Sequence, residues 1–173
     1  MTIQRRIAEI ALAGAVAVMI AVCIRMFLFQ PFPVASRSME NSVCAGDEIL
    51  VFKGAYHLTR FGLRPVTRGE IVVFEGKRAE DGYFVKRIIG IPGDHIVIRD
   101  GTVTVNSIVL REPYASATTG TLTLDIPADH VFVLGDNRAV SEDSRSYGPV
   151  NITRIVGTAV LIYKPLSRFG TVQ

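Results

Sequence analysis

Two hydrophobic regimes follow one another along this chain. Residues 10–24 are all apolar or small, and Met26, Phe27, Leu28 and Phe29 carry the run past Arg25. A helix over residues 10–29 is about the length that crosses roughly 30 Å of hydrocarbon, so the pattern predicts a single N-terminal transmembrane anchor. Arg5 and Arg6 precede it. The positive-inside tendency then puts residues 1–9 in the cytoplasm and residues 30–173 outside. Arg25 lies one turn from the far end, where its long stem reaches the headgroups. A cleaved leader with a small-residue site near residues 34–36 is the competing reading, but leader cores run about 7–15 residues, shorter than this one.

Pro31 and Pro33 break any helix that leaves the bilayer. From residue 34 the pattern changes to alternation and short β-branched runs. Residues 48–52 (EILVF), 70–74 (EIVVF) and 83–91 read as strands, each bounded by glycine or proline. Residues 95–99 and 102–105 flank Asp100-Gly101, a strong hairpin signal. Asn106-Ser107 then turns into residues 108–110, and residues 121–126, 131–134 and 155–163 complete the set. Many short strands with turn signals between them predict a mainly β fold, an antiparallel sandwich or barrel-like domain behind the helix. The polar stretch 111–120 reads as a mobile surface loop.

Composition narrows the chemistry. The chain is 49% hydrophobic, which excludes disorder, and 19 basic against 16 acidic residues leave only +3, no footprint of a nucleic-acid binder. Two cysteines, Cys23 and Cys44, exclude a zinc ribbon or a disulfide scaffold, and with three histidines they leave no haem or iron–sulfur set. His57 falls in a loop-like stretch, His95 follows Pro92-Gly93-Asp94 and His130 opens a strand, so none marks a triad or a metal site.

Lys86 stands out. In residues 83–89 (YFVKRII) the alternation puts Phe84, Lys86 and Ile88 on one face and Val85, Arg87 and Ile89 on the other. Both faces are apolar apart from one cation each, and a cation held against buried surface is costly unless paired or neutralised. Lysine escapes by losing its proton, whereas arginine does not. A desolvated lysine whose pKa falls from about 10.4 toward 7–8 is a competent general base. The segment alone leaves open a plainer reading, two edge-strand cations reaching out to water.

Two further segments bear on this choice: SRSMENSVCAGDEILVF from residue 36, and GDNRAVSEDSRSYGPV over residues 135–150. With RGEIVVF and YFVKRIIGIPGD between them, in that order, the chain resembles the type I signal peptidases, membrane-anchored serine proteases. The resemblance covers most of the chain after the anchor. It implies Ser38 as nucleophile and Lys86 as general base, a dyad in place of a histidine triad. It also implies an oxyanion hole from the Ser38 backbone N–H and the Ser36 hydroxyl, Ser141 as the residue that orients the lysine, and Asp143 with Arg145 as a supporting ion pair. Asp136, Asn137 and Arg138 read as a structural turn. The implied reaction is removal of signal peptides from exported preproteins at Ala-x-Ala junctions, in the bacterial plasma membrane, with the lipid bilayer as the other partner and neither metal nor cofactor.

One departure is visible. Asn41 and Ser42 stand where many members of that family have Pro-Thr, which reads as a changed turn with an effect on substrate fit. The length leaves no room for the large second domain of longer members. Two alternatives remain: a dedicated peptidase of the same mechanism, such as one maturing a pilin subunit, and an anchored β-domain that binds without catalysing. The sequon Asn151-Ile152-Thr153 has no meaning in a bacterial host.

Overall fold

The apolar run forms a helix, α1 (Ile3–Leu28), whose large side chains point outward, Ile10 at 73% and Leu12 at 66% exposure. The computed structural model describes residues 3–54, 56, 59 and 64–172, without the side chains of residues 3, 5, 8, 23–26 and 79. His57 and the Cys23 side chain therefore lie outside the described residues. Among the described residues no helix is long and apolar enough to cross a membrane. The anchor expected over 10–29 is thus not found in the described structure, and its far boundary moves back by one residue: Phe29 opens strand β1 (Phe29–Pro33).

β1 holds both prolines that the sequence suggested only as helix breakers. Proline is tolerated in an edge strand, where its donor-less nitrogen faces away from the partner. β1 is such an edge. It pairs on one side with β2 (Glu48–Phe52), Pro31 opposite Leu50. The other elements are β3 (Ile71–Glu75), β4 (Tyr83–Gly90), β5 (His95–Arg99), β6 (Thr102–Val105), β7 (Ile108–Val109), β8 (Leu122–Asp125), β9 (His130–Leu134), a short helix α2 (Ser144–Tyr147), β10 (Val150–Asn151), β11 (Ile155–Lys164) and β12 (Gly170–Thr171). They form two antiparallel sheets, ordered β1-β2-β11-β3-β4-β9-β10, with β12 on β11, and β7-β6-β5-β8. The mainly β, antiparallel expectation agrees with this, and the alternation placed the longer strands to within a residue or two at each end. The two-residue strands β10 and β12 are too short to carry a period.

The turns behave as their residues demand. Asp100 and Gly101 take φ of 50° and 82°, and Asn106 and Ser107 take 51° and 68°, the left-handed pairs that a two-residue hairpin needs. Three apolar clusters fill the interior: one under β1, β2 and β11 with Met39 and Val43, one around Val72, Phe74 and Ile88, and one between the small sheet and β9 with Ile96, Ile98 and Phe132. Residues 111–120 are not the free loop expected of them. Glu112 pairs with Arg138, the Tyr114 ring lies 3.9 Å from the Arg87 guanidinium carbon, Ser116 N donates to Asp136 O, and Thr118 is buried.

One detail of the register positions the site. β4 pairs with β3 along residues 83–87, but β9 joins its other edge only from Arg87 onward. Residues 83–86 therefore present an open edge, and the end of β1 faces it, with the Phe32 and Tyr83 rings 5.0 Å apart edge to face.

Candidate active site

Ser38 sits on a single 3-10 turn, Arg37–Met39, that begins just after β1. The Ser36 hydroxyl caps the turn by accepting from Ser38 N at 3.1 Å. Met39, 1% exposed, plugs the turn into the core, so Ser38 is held from below. Its carbonyl is held from the opposite side, where Asn137 N donates to Ser38 O at 2.9 Å. Gly135 permits that approach: a Cβ there would lie 2.5 Å from Ser38 O and 2.2 Å from Ser141 Oγ.

Lys86 reaches the same point from the open half of β4. Its Nζ donates to Ser38 Oγ at 2.6 Å, and the residue is 3% exposed. Among the described residues Lys86 has no carboxylate within ion-pair distance. Burial pushes its pKa down to about 8, against the weaker upward pull of the Asp143 and Glu142 carboxylates. An amine near that value is half neutral in mildly alkaline water and can accept a proton from a hydroxyl it already touches.

The neighbouring cation is treated differently. Arg87, also 3% exposed, donates from Nε and Nη2 to the two oxygens of Asp136 at 2.9 and 2.7 Å, from Nη1 to Gly69 O and from Nη2 to Ser42 Oγ. Ser42 Oγ in turn donates to Asp136 Oδ2 at 2.5 Å, and Asn41 Nδ2 donates to Tyr114 O. The residues that replace Pro-Thr thus tie the nucleophile loop to the buried pair and to the loop above it. Arg138, 2% exposed, pairs with Glu112 and donates to Gly135 O. The turn 136–138 is more than a bend. It links Ser38, Arg87 and residues 111–120. Sequence reasoning missed this, although an aspartate, an asparagine and an arginine crowded between two apolar strands was a signal that partners lay elsewhere in the chain.

Asp143 is fully buried and Arg145 lies against it, Nε to Oδ1 at 2.8 Å. The carboxylate also accepts from Gly135 N at 3.0 Å and caps α2 by accepting from Arg145 N. Arg145 spans the segment by donating to Arg138 O and Ser141 O. Ser141 Oγ is buried beside Gly135 without a hydrogen-bond partner among the described residues, so the bond from Ser141 to Lys86 is not formed here. Ser36 and the Ser38 N–H, the two expected donors, are bonded to each other. The two described histidines stay apart from the site: His95 pairs with Asp125 on the small sheet, and His130 Nδ1 lies 2.9 Å from Ala128 O.

A cleft of about 330 Å³ opens over this arrangement, walled by Pro33, Val34, Ala35, Met39, Tyr83 and Val85. Among the described residues no group of histidine, cysteine, aspartate and glutamate could hold a metal ion.

Residues 7–164 match the family described as "Signal peptidase, peptidase S26". The chain belongs to that family. It is 35% identical over 171 residues to the signal peptidase I of Bacillus caldolyticus, covering 90% of each chain. It is 36% identical over 162 residues to a probable signal peptidase I-2 of Synechocystis sp., covering 89% of this chain and 72% of the other. A solved signal peptidase I from Enterococcus faecalis V583 aligns at 31% identity with 55% of this chain and 97% of its own, with a TM-score of 0.49. As an S26 peptidase the chain is a hydrolase of the serine class. Within the S26 match lie both arms of the site, the 36–42 loop and the 135–145 segment, together with β4 between them.

Proposed function

We propose that this S26 peptidase removes signal peptides from exported preproteins, with Ser38 as nucleophile and Lys86 as general base. The observation that carries this reading is the 2.6 Å contact between Ser38 Oγ and an amine that is buried without a carboxylate partner. With the amine neutral the contact reverses, and the hydroxyl donates to Nζ. Ser38 Oγ then attacks the scissile carbonyl carbon while Nζ takes its proton. The protonated lysine gives that proton to the departing backbone nitrogen, and the C–N bond breaks to leave an ester on Ser38. Water attacks the ester, Lys86 accepts its proton, and the proton returns to Oγ as the ester breaks.

The tetrahedral oxyanion forms within reach of the Ser38 N–H and the Ser36 hydroxyl. On substrate binding both leave the bond between them and turn to the new charge; losing one such donor costs about 3–4 kcal/mol of transition-state stabilisation. The orphaned hydroxyl of Ser141 is at hand to orient the amine, and the Asp143–Arg145 pair stiffens the segment that carries it. The substrate adds as an extended strand along the open edge of residues 83–86, where main-chain bonds supply affinity and shallow pockets select small side chains, alanine, at the first and third positions before the cut. Residues 10–28 anchor the enzyme in the bacterial plasma membrane as a single pass, with residues 1–9 cytoplasmic and residues 29–173 outside. That topology rests on the apolar run and on Arg5 and Arg6. The Ser38 turn follows the run within ten residues, which keeps the cut near the bilayer.

The test is cleavage of a preprotein with an Ala-x-Ala junction by the detergent-solubilised chain, beside its Ser38→Ala variant, with the cut mapped by mass spectrometry. A single cut after the junction that is absent with the variant supports the reading. Equal cutting by both, or binding with no cut by either, overturns it.

A further inference from the structure

The cleft at Ser38 does not end at Phe84. A second cavity, of about 240 Å³, opens on the other flank of Phe84 and Glu142, the two residues it shares with the first. Its remaining walls are the Phe74 and Tyr147 rings, Lys77 and Arg154, with Asp81 at one side, one of whose carboxylate oxygens accepts from the Arg78 N–H.

The polar groups around it are mostly donors with capacity to spare. The Tyr147 hydroxyl is buried and has no hydrogen-bond partner among the described residues, and burial raises its pKa, so it stays a protonated donor. Lys77 uses one of its three protons on Tyr147 O at 3.2 Å. Arg154 donates Nε and Nη2 to Glu75 O and lies 5.8 Å over the Phe74 ring, which leaves Nη1 unspent among the described residues. The carboxylate of Glu142 stands at the shared rim, exposed and screened by water. An apolar-walled cavity with an unsatisfied buried hydroxyl and two cations favours a side chain that has an aliphatic stem and acceptor oxygens at its tip.

Its place relative to the dyad says which part of a substrate reaches it. Pro33, Val34 and Ala35, which carry the chain on from β1, and Tyr83 of the open β4 edge line the first cleft, and the residues before the cut lie along that edge. Val140 and Glu142, from the segment that carries Ser141, line it too, and Glu142 is shared with the second cavity. We propose that the cavity between Phe84, Tyr147 and Arg154 is a second substrate subsite, which takes an acidic side chain from the first few residues after the scissile bond. This rests on the reading of the chain as a signal peptidase and adds a selectivity on the mature side of the junction.

The test is a set of preproteins identical up to an Ala-x-Ala junction, with Glu, Gln, Ala or Lys placed in turn at each of the first four positions after it. The readout is kcat/KM for each, with the wild-type chain and with Tyr147→Phe and Arg154→Met. At one position the wild type is expected to favour Glu over Lys by roughly tenfold, the worth of about one charge-assisted hydrogen bond, with Gln and Ala between. Both variants should draw that ratio toward one, and because it is a ratio, a general loss of folded enzyme does not move it. Efficient cleavage with no preference at any position overturns the subsite and leaves the peptidase reading standing. A preference that persists unchanged in both variants overturns the assignment to this cavity. No cleavage of any member overturns both.

Discussion

Lys86 and Arg87 are neighbours on one strand, equally buried, and the protein handles them in opposite ways. Arg87 is surrounded by a carboxylate that meets it with both oxygens, a hydroxyl, a backbone carbonyl and an aromatic ring. Lys86 has one neutral hydroxyl, and its pKa falls to about 8. Burial alone is therefore not what makes a base. The difference lies in whether the fold supplies a counter-charge. A guanidinium cannot give up its proton and must be paired, so it locks the loops around it, whereas an unpaired ammonium gives its proton up and becomes reactive.

The largest effects should come from exchanging the two treatments. Lys86→Arg places a permanent cation beside Ser38, and kcat should fall by at least about a thousandfold, read as single-turnover cleavage of a preprotein. Near-normal turnover would remove Lys86 from the role of base. Asp136→Ala takes away the carboxylate that meets the buried Arg87 guanidinium with both oxygens and should cost about 3–5 kcal/mol of stability, measured by urea unfolding.

The pH dependence sharpens the same contrast. The neutral amine is the active form, so kcat/KM should be low below pH 7 and rise through about 8 to a plateau. A profile flat from pH 5 to 9 with chemistry rate-limiting would contradict a titrating base. For stability the sign follows from the lowered pKa. Between about 8 and 10.5 the unfolded chain holds the Lys86 proton that the folded chain has lost, so this group adds stability as pH rises across that window and costs it below. Lys86→Met should thus raise the urea midpoint at pH 7, with the gain shrinking toward pH 10, while Arg87→Met should lower it at both. The smallest effect is expected of Ser42→Ala, about 1 kcal/mol, because Arg87 and Asp136 keep each other when the bridging hydroxyl goes.

Much of the fold was legible because β4, β5, β6 and β11 carry period-two or β-branched runs, and Asp100-Gly101 admits few conformations. β1 was hidden: its phenylalanines extend an apolar helix pattern and its prolines read as breakers, and only pairing with β2 makes it a strand. The two cations on YFVKRII posed the question that the site answers, but the answer for Arg87 lies 49 residues on, at Asp136, beyond any local pattern. Residues 111–120 are loop, as their polarity suggests, but that Glu112, Tyr114 and Thr118 are tied down is invisible locally, because their partners, Arg138 and Arg87, lie 20 or more residues away. The supporting pair of Asp143 and Arg145 was legible only through the family resemblance, since two residues of opposite charge two positions apart mean little alone.

The prolines of β1 have a consequence for how such a domain survives in company. A sheet edge with a full row of amides recruits any extended chain that passes, including another copy of itself, and aggregates. At Pro31 and Pro33 the exposed side of β1 has no N–H to offer, so a second strand cannot zip onto it. The other edge beside the cleft, residues 83–86, keeps its amides and ends beneath Ser38. A passing extended peptide is thus refused along one border and received along the other, and the border that receives it is the one that ends at the dyad.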